Sequence, residues 1–135
     1  MKQKIVEKKW HLVDADGKIL GRMATEVANI LMGKSKPEYK RNNNIGDFVV
    51  VINSSKIKVT GNKEELKRYI HHTGYPQGFR EIVLKDLRIK NPNEIIIHAV
   101  KGMLPQNKLR SIMLKRLYIF ADNKHPFEKK IINNN

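Results

Sequence analysis

Apolar residues recur along this chain with two periods, and each change of period marks an element. Trp10-His11-Leu12-Val13 reads as a short strand closed by an Asp16-Gly17 turn. Beyond it, Leu20, Met23, Ala24, Val27, Ile30 and Leu31 fall on one face of a helix. Arg22, Glu26 and Asn29 take the other face, and Gly33 offers the stop. Phe48 to Ile52 is apolar without alternation and rich in β-branched residues, which predicts a strand covered on both faces. Ile57 and Val59 alternate with Lys56 and Lys58, the pattern of a half-exposed strand ending at Thr60-Gly61-Asn62.

The second half follows the same logic. Asn62 with Glu65 three residues on resembles a helix cap, and Leu66, Tyr69 and Ile70 suit the inner face of a short helix. Tyr69-Ile70 also suits the start of a strand. Tyr75-Pro76-Gln77-Gly78 fits a type I turn. Asn91-Pro92 opens a helix with Ile96, Ala99, Val100, Met103 and Leu104 inward, ended by Pro105. Leu109, Ile112 and Met113 predict another helix lying on the sheet, with Lys108, Ser111 and Lys115 opposite. Leu117 to Ala121 is a final buried strand, and the tail KHPFEKKIINNN is expected to be pinned by its first residues alone. Strands alternating with helices predict one α/β domain over residues 1–135, layered about a mostly parallel sheet.

Charge narrows the partner. The 135 residues carry 27 Lys+Arg against 13 Asp+Glu, a formal charge of +14, where solubility asks for a magnitude of about 2–8 in a small domain. Such an excess favours a polyanion: nucleic acid first, an anionic membrane surface second. No run of about 18 apolar residues is present to cross a membrane, and the basic N-terminus lacks the apolar stretch of a secretory signal. Zero cysteines exclude disulfides, thiolate metal sites and thiol nucleophiles. In a chain that is not secreted, the Asn53-Ser54-Ser55 sequon carries no glycosylation meaning.

Candidate chemistry is sparse. Gly33-Lys34-Ser35 imitates the end of a phosphate-binding loop, but Ala28 stands where the earlier glycine is required, and the tripeptide follows a helix instead of preceding one. Five histidines (11, 71, 72, 98 and 125) invite a metal or acid–base reading. His71 and His72 are adjacent, a spacing that diverges on helix and strand alike, and no HExxH spacing or carboxylate cluster accompanies them. No metal or cofactor is therefore expected, and His71, His72 and Tyr75 are read as contacts to a partner such as an RNA loop. The basic residues form two clusters: Lys34, Lys36, Lys40 and Arg41, then Lys101, Lys108, Arg110, Lys115 and Arg116, with Lys63 added to the set. Helix-turn-helix, zinc-finger and RRM-type patterns are missing, so sequence-specific DNA reading is unsupported.

WHLVDADGKILGRMATEVANILMGKSKPEY (10–39), GDFVVVINSSKIKVTGNK (46–63), YIHHTGYPQG (69–78), VKGMLP (100–105) and LYIFADNKHPF (117–127) stand in one order along the chain. In this the chain closely resembles the bacterial-type large-subunit ribosomal protein L13 (uL13) family. The resemblance implies a three-layer α/β/α fold on a four-stranded parallel sheet, with no catalytic residue. It implies a constituent of the large subunit that binds its rRNA directly and early in assembly, beside neighbouring ribosomal proteins. It implies a place in the ribosome, cytoplasmic or organellar, with no membrane and no small-molecule substrate. Phe127 stands where a second histidine is common in the family. A small RNA-processing enzyme using His71 or His72, or a free RNA chaperone, are the alternatives.

Overall fold

The computed structural model describes residues 8–41, 43–61, 66–72 and 79–132. Three parallel strands form its sheet, in the order β1 (Trp10–Asp14), β2 (Phe48–Ile52), β5 (Leu117–Ile119). Trp10 stands opposite Phe48, and Val50 opposite Tyr118. The central place of β2 explains its composition. Val49, Val50 and Val51 have no exposed surface, because both edges are paired and both faces covered.

Alternation sends Val49 and Val51 to one face, where they join Val13 in the main core. Met23, Val27 and Leu31 of α1 (Leu20–Met32) meet them there, with Ile96 and Val100 of α3 (Pro92–Met103). Between β2 and α3 lie an antiparallel pair, β3 (Arg68–His72) and β4 (Phe79–Val83), and then α2 (Leu84–Lys90). Two helix ends show how local sequence sets the boundaries. Gly33 takes φ 78°, a left-handed value open to glycine, and its N–H returns to the Asn29 and Ile30 carbonyls. Pro92 occupies the start of α3, where its missing N–H costs nothing.

The other face of the sheet is aromatic. Trp10 stacks on Phe48 at 4.4 Å between ring centroids and 7° between planes. Phe127 lies against Trp10 at 5.0 Å and Tyr118 at 4.6 Å. The short α5 (Glu128–Ile132) follows and packs on β1, with Lys130 Nζ 4.8 Å from the Trp10 ring centroid.

Several expectations change. The parallel sheet of the described residues has three strands, not four. Ile57 is buried and Lys58 exposed, as the alternation required, but this segment makes only a bridge from Lys58 to Ile19. Leu20 N donates to Lys58 O at 2.8 Å there, so the segment caps α1, where Ile19 offers no capping side chain. Of the two readings open for Tyr69 and Ile70 the strand holds, paired with β4 in a separate sheet, while Asn62 and Glu65 lie outside the described residues. The helix α4 (Leu109–Leu114) packs mainly against α1 and α3, with Met113 reaching the core and Ile112 41% exposed. β5 stops at Ile119 and is half-buried. The C-terminal segment is held well beyond its first residues, by Phe127 and Lys130.

Trp10 is the one tryptophan in the sequence, so its emission reports on this aromatic face. Phe127→Ala is expected to move that emission to longer wavelength and to lower unfolding free energy by about 1–3 kcal/mol, with far-ultraviolet dichroism nearly unchanged. Emission identical to the parent's would refute the packing role of Phe127.

Candidate nucleic-acid interface

The first basic cluster rides on the loop between α1 and β2, and the loop is braced from inside. Asp47, 7% exposed, accepts from Lys9 N at 3.0 Å and from Lys36 Nζ at 2.7 Å, and its other oxygen lies 2.8 Å from His11 Nε2. Lys36 Nζ also donates to the Ile45 carbonyl at 2.7 Å. Burial pushes the Asp47 carboxyl upward, but the hydrogen bonds from Lys36, Lys9 and His11 together outweigh it and hold the group below its ordinary value. Asp47 is thus a carboxylate kept charged by its donors.

Arg116 closes the loop from the other side. Its side chain is buried, with Nη2 donating to the Leu31 carbonyl at 2.8 Å and Nη1 to Asn44 Oδ1. That carbonyl belongs to the last turn of α1, where helical partners run out. Burial draws the guanidinium below its ordinary value and the Asp47 charge opposes the shift. Gly46 fits the same knot for a steric reason: a Cβ there would come within 1.7 Å of the Leu31 oxygen.

These contacts sort the basic residues named from sequence. Lys34, Lys40 and Arg41 are exposed on the loop, and Lys101, Lys108 and Lys115 on α3 and at the ends of α4. Arg110 is half-buried. Arg116 is a correction: its guanidinium is turned inward onto Leu31 and Asn44, so it braces the surface and does not form it. Lys36 is likewise committed to Asp47 and Ile45. His71 and His72 lie on β3, opposite Arg80 and Phe79. Lys63 and Tyr75 fall outside the described residues. Arg116 ties the end of α4 to the loop, whereas Lys101 borders a cavity with Tyr69, Ile70 and Glu81.

Sequence reasoning missed Asp47 and Gly46. The available signal was a lone acid directly before an all-apolar strand, amid a basic stretch. The carboxyl ends of the strands, where open α/β sheets usually hold ligands, are closed by internal bonds. Asn53 Nδ2 donates to Asp14 at 2.9 Å, Ser54 Oγ to Asn93 at 2.5 Å, and Asn93 Nδ2 to the Ile119 carbonyl at 3.2 Å. Among the described residues, no three His, Cys, Asp or Glu side chains gather as a metal site would require, and no helix is long and apolar enough to cross a membrane.

In this small α/β domain the buried charges of Asp47 and Arg116 brace a loop that exposes Lys34, Lys40 and Arg41. Residues 8–126 match the family described as Ribosomal protein L13. The chain is 55% identical over 124 residues to large ribosomal subunit protein uL13 of Vesicomyosocius okutanii, covering 92% of this chain and 87% of that protein. It is 54% identical over 127 residues to the protein of that name from Geobacter sulfurreducens (94% and 89% covered), and 53% over 120 residues to that from Clostridioides difficile (89% and 84%). The chain belongs to the ribosomal protein L13 family.

Asp47→Asn is expected to cost about 3 kcal/mol in urea unfolding at pH 7, because it leaves Lys36 and Arg116 without their anion. A carboxyl with a depressed folded value contributes fully above about pH 4 and loses that contribution as the pH falls through the folded value. The gap between parent and variant should therefore close on acidification below about pH 4. A gap independent of pH would assign the effect to shape and not to charge.

Proposed function

We propose that this chain, as a constituent of the large ribosomal subunit, binds large-subunit rRNA directly and early in assembly, beside neighbouring ribosomal proteins. The observation that carries the reading is the division of its cations. Lys36 and Arg116 are used inside, while Lys34, Lys40 and Arg41 stand exposed on the loop, Lys101 on α3, and Lys108 and Lys115 at the ends of α4. Those exposed residues, with Arg110, are assigned to phosphate contacts, which position a protein on RNA without reading sequence. His71 and His72 on β3, with Tyr75 and Lys63, are assigned to irregular RNA nearby. The brace supports early binding: the loop is held by contacts within the chain, without help from a neighbour. The role is structural, with no catalytic residue, cofactor or small-molecule substrate, and its place is the ribosome of the cytoplasm.

Binding of the full chain to large-subunit rRNA fragments should weaken steeply with salt, each neutralised phosphate adding about 0.7–0.9 to the log–log slope. Lys108→Glu with Lys115→Glu should reduce affinity by about tenfold or more at low salt while helical dichroism is kept, since both side chains are exposed. Arg116→Gln should instead lower the unfolding midpoint. A slope near zero, or full affinity in the double variant, would overturn the assignment. In cell extracts the chain should comigrate with large subunits through a sucrose gradient.

A further inference from the structure

A cavity of about 690 Å³ opens between the start of α1, the Val59-Thr60 segment and the end of α3, within the range of about 300–1,000 Å³ typical of small-ligand sites. Its floor is apolar: Ile19, Val59, Ala99 and Met103. Its polar wall is cationic or neutral. Arg22 comes from α1, Lys67 from the residue before β3, and His98 from α3, and no carboxylate lines the cavity among the described residues. His98 is set in place by Tyr69, which meets it edge-on at 4.9 Å.

Two glycines on this wall point the same way. Gly21 is the second residue of α1 and Gly102 the last but one of α3, so both lie in terminal turns that border the cavity. Neither has a positive φ, and a Cβ at either would meet nothing within 4 Å. Backbone geometry and internal packing therefore give no reason for glycine at these positions. Two helices instead offer bare backbone to one cavity, the arrangement that lets another molecule approach closely.

We propose that this cavity receives one unpaired nucleotide of the RNA, its base on the apolar floor and its phosphate held by Arg22 and Lys67. This rests on the rRNA-binding reading above and adds a second contact surface to it. A splayed-out base is the element of RNA that proteins grip by its flat face and edges. The floor suits that face, with the Met103 sulfur able to meet the ring, and His98 can donate to or accept from a base edge. An acidic peptide would satisfy the cations but leave the floor uncovered.

The test uses the full-length, isotope-labelled chain and its backbone amide spectrum. Adenosine 5′-monophosphate should shift the Gly21 and Gly102 amides saturably, inorganic phosphate should act only at the Gly21 end, and a hexaglutamate peptide should do neither. Gly102→Leu fills the cavity from a position with free space and should abolish the nucleotide shifts. It should also weaken binding to large-subunit rRNA by about tenfold, in the range expected for one stacked base. Arg22→Gln with Lys67→Gln should do the same without adding bulk, which guards against a folding defect in the first variant. Lys34→Glu with Lys40→Glu should weaken rRNA binding yet leave the nucleotide shifts intact. A parent that binds rRNA but shows no nucleotide shifts, or a Gly102→Leu variant with full rRNA affinity, overturns the cavity assignment alone. Saturable shifts with hexaglutamate in place of the nucleotide overturn it in favour of a protein partner. A parent that fails to bind rRNA at all overturns the functional reading itself.

Discussion

The Asp47 carboxylate sits where the approach to β1, the loop after α1 and the entry to β2 converge, and it receives Lys9 N, His11 and Lys36 there. An acid with so little exposure is costly to keep charged unless its lone pairs are filled. Filling them fixes three segments at once. Arg116 acts on the same charge and carries the restraint across to α4 through the Leu31 carbonyl. The path of the loop, the close approach of Gly46 to α1 and the position of the end of α4 all depend on this knot. Remove the carboxylate and two cations are left inside with little to neutralise them.

Holding Lys34, Lys40 and Arg41 on one short loop has its own electrostatic consequence. Like charges at close range repel, and in a chain of +14 few acids are available to relieve them. A loose loop would relax by spreading its cations into solvent. A braced one cannot, so its repulsion persists until counterions or a polyanion arrive, and release of those counterions favours the polyanion. Internal ionic contacts and external ionic binding are therefore two uses of one composition. The sequence alone does not separate them, because Lys36 and Lys34 look alike there.

Much of the fold could be read from periodicity. The helix from Leu20 to Met32, its Gly33 stop, the covered strand Phe48–Ile52 and the Pro92 helix start all came from patterns that local physics enforces. Failures came where partners decide. Ile57 to Val59 has a strand's alternation but gains only one bridge, since its backbone caps α1. Arg116 looked like surface charge because nothing local marks the Leu31 carbonyl as its acceptor, 85 residues away in sequence. Nothing local marks Phe127 either, yet its ring completes the stack on Trp10. The site was legible as charge in aggregate, and the choice between inward and outward cations required three dimensions.

The place of β2 between its two neighbours bears on how the chain is made. Val49 to Val51 can pair with β1 only once the crossover through α1 has been made, and its second edge waits for Leu117–Ile119. Until then the most apolar strand of the protein presents an open edge, with an aromatic face that Phe127 has yet to cover. Unpaired edges and uncovered apolar surface of this kind are what drives nascent chains to associate with one another. Sheet closure is thereby postponed until Leu117–Ile119 has been made, and the interval before it is when this chain has most need of a chaperone.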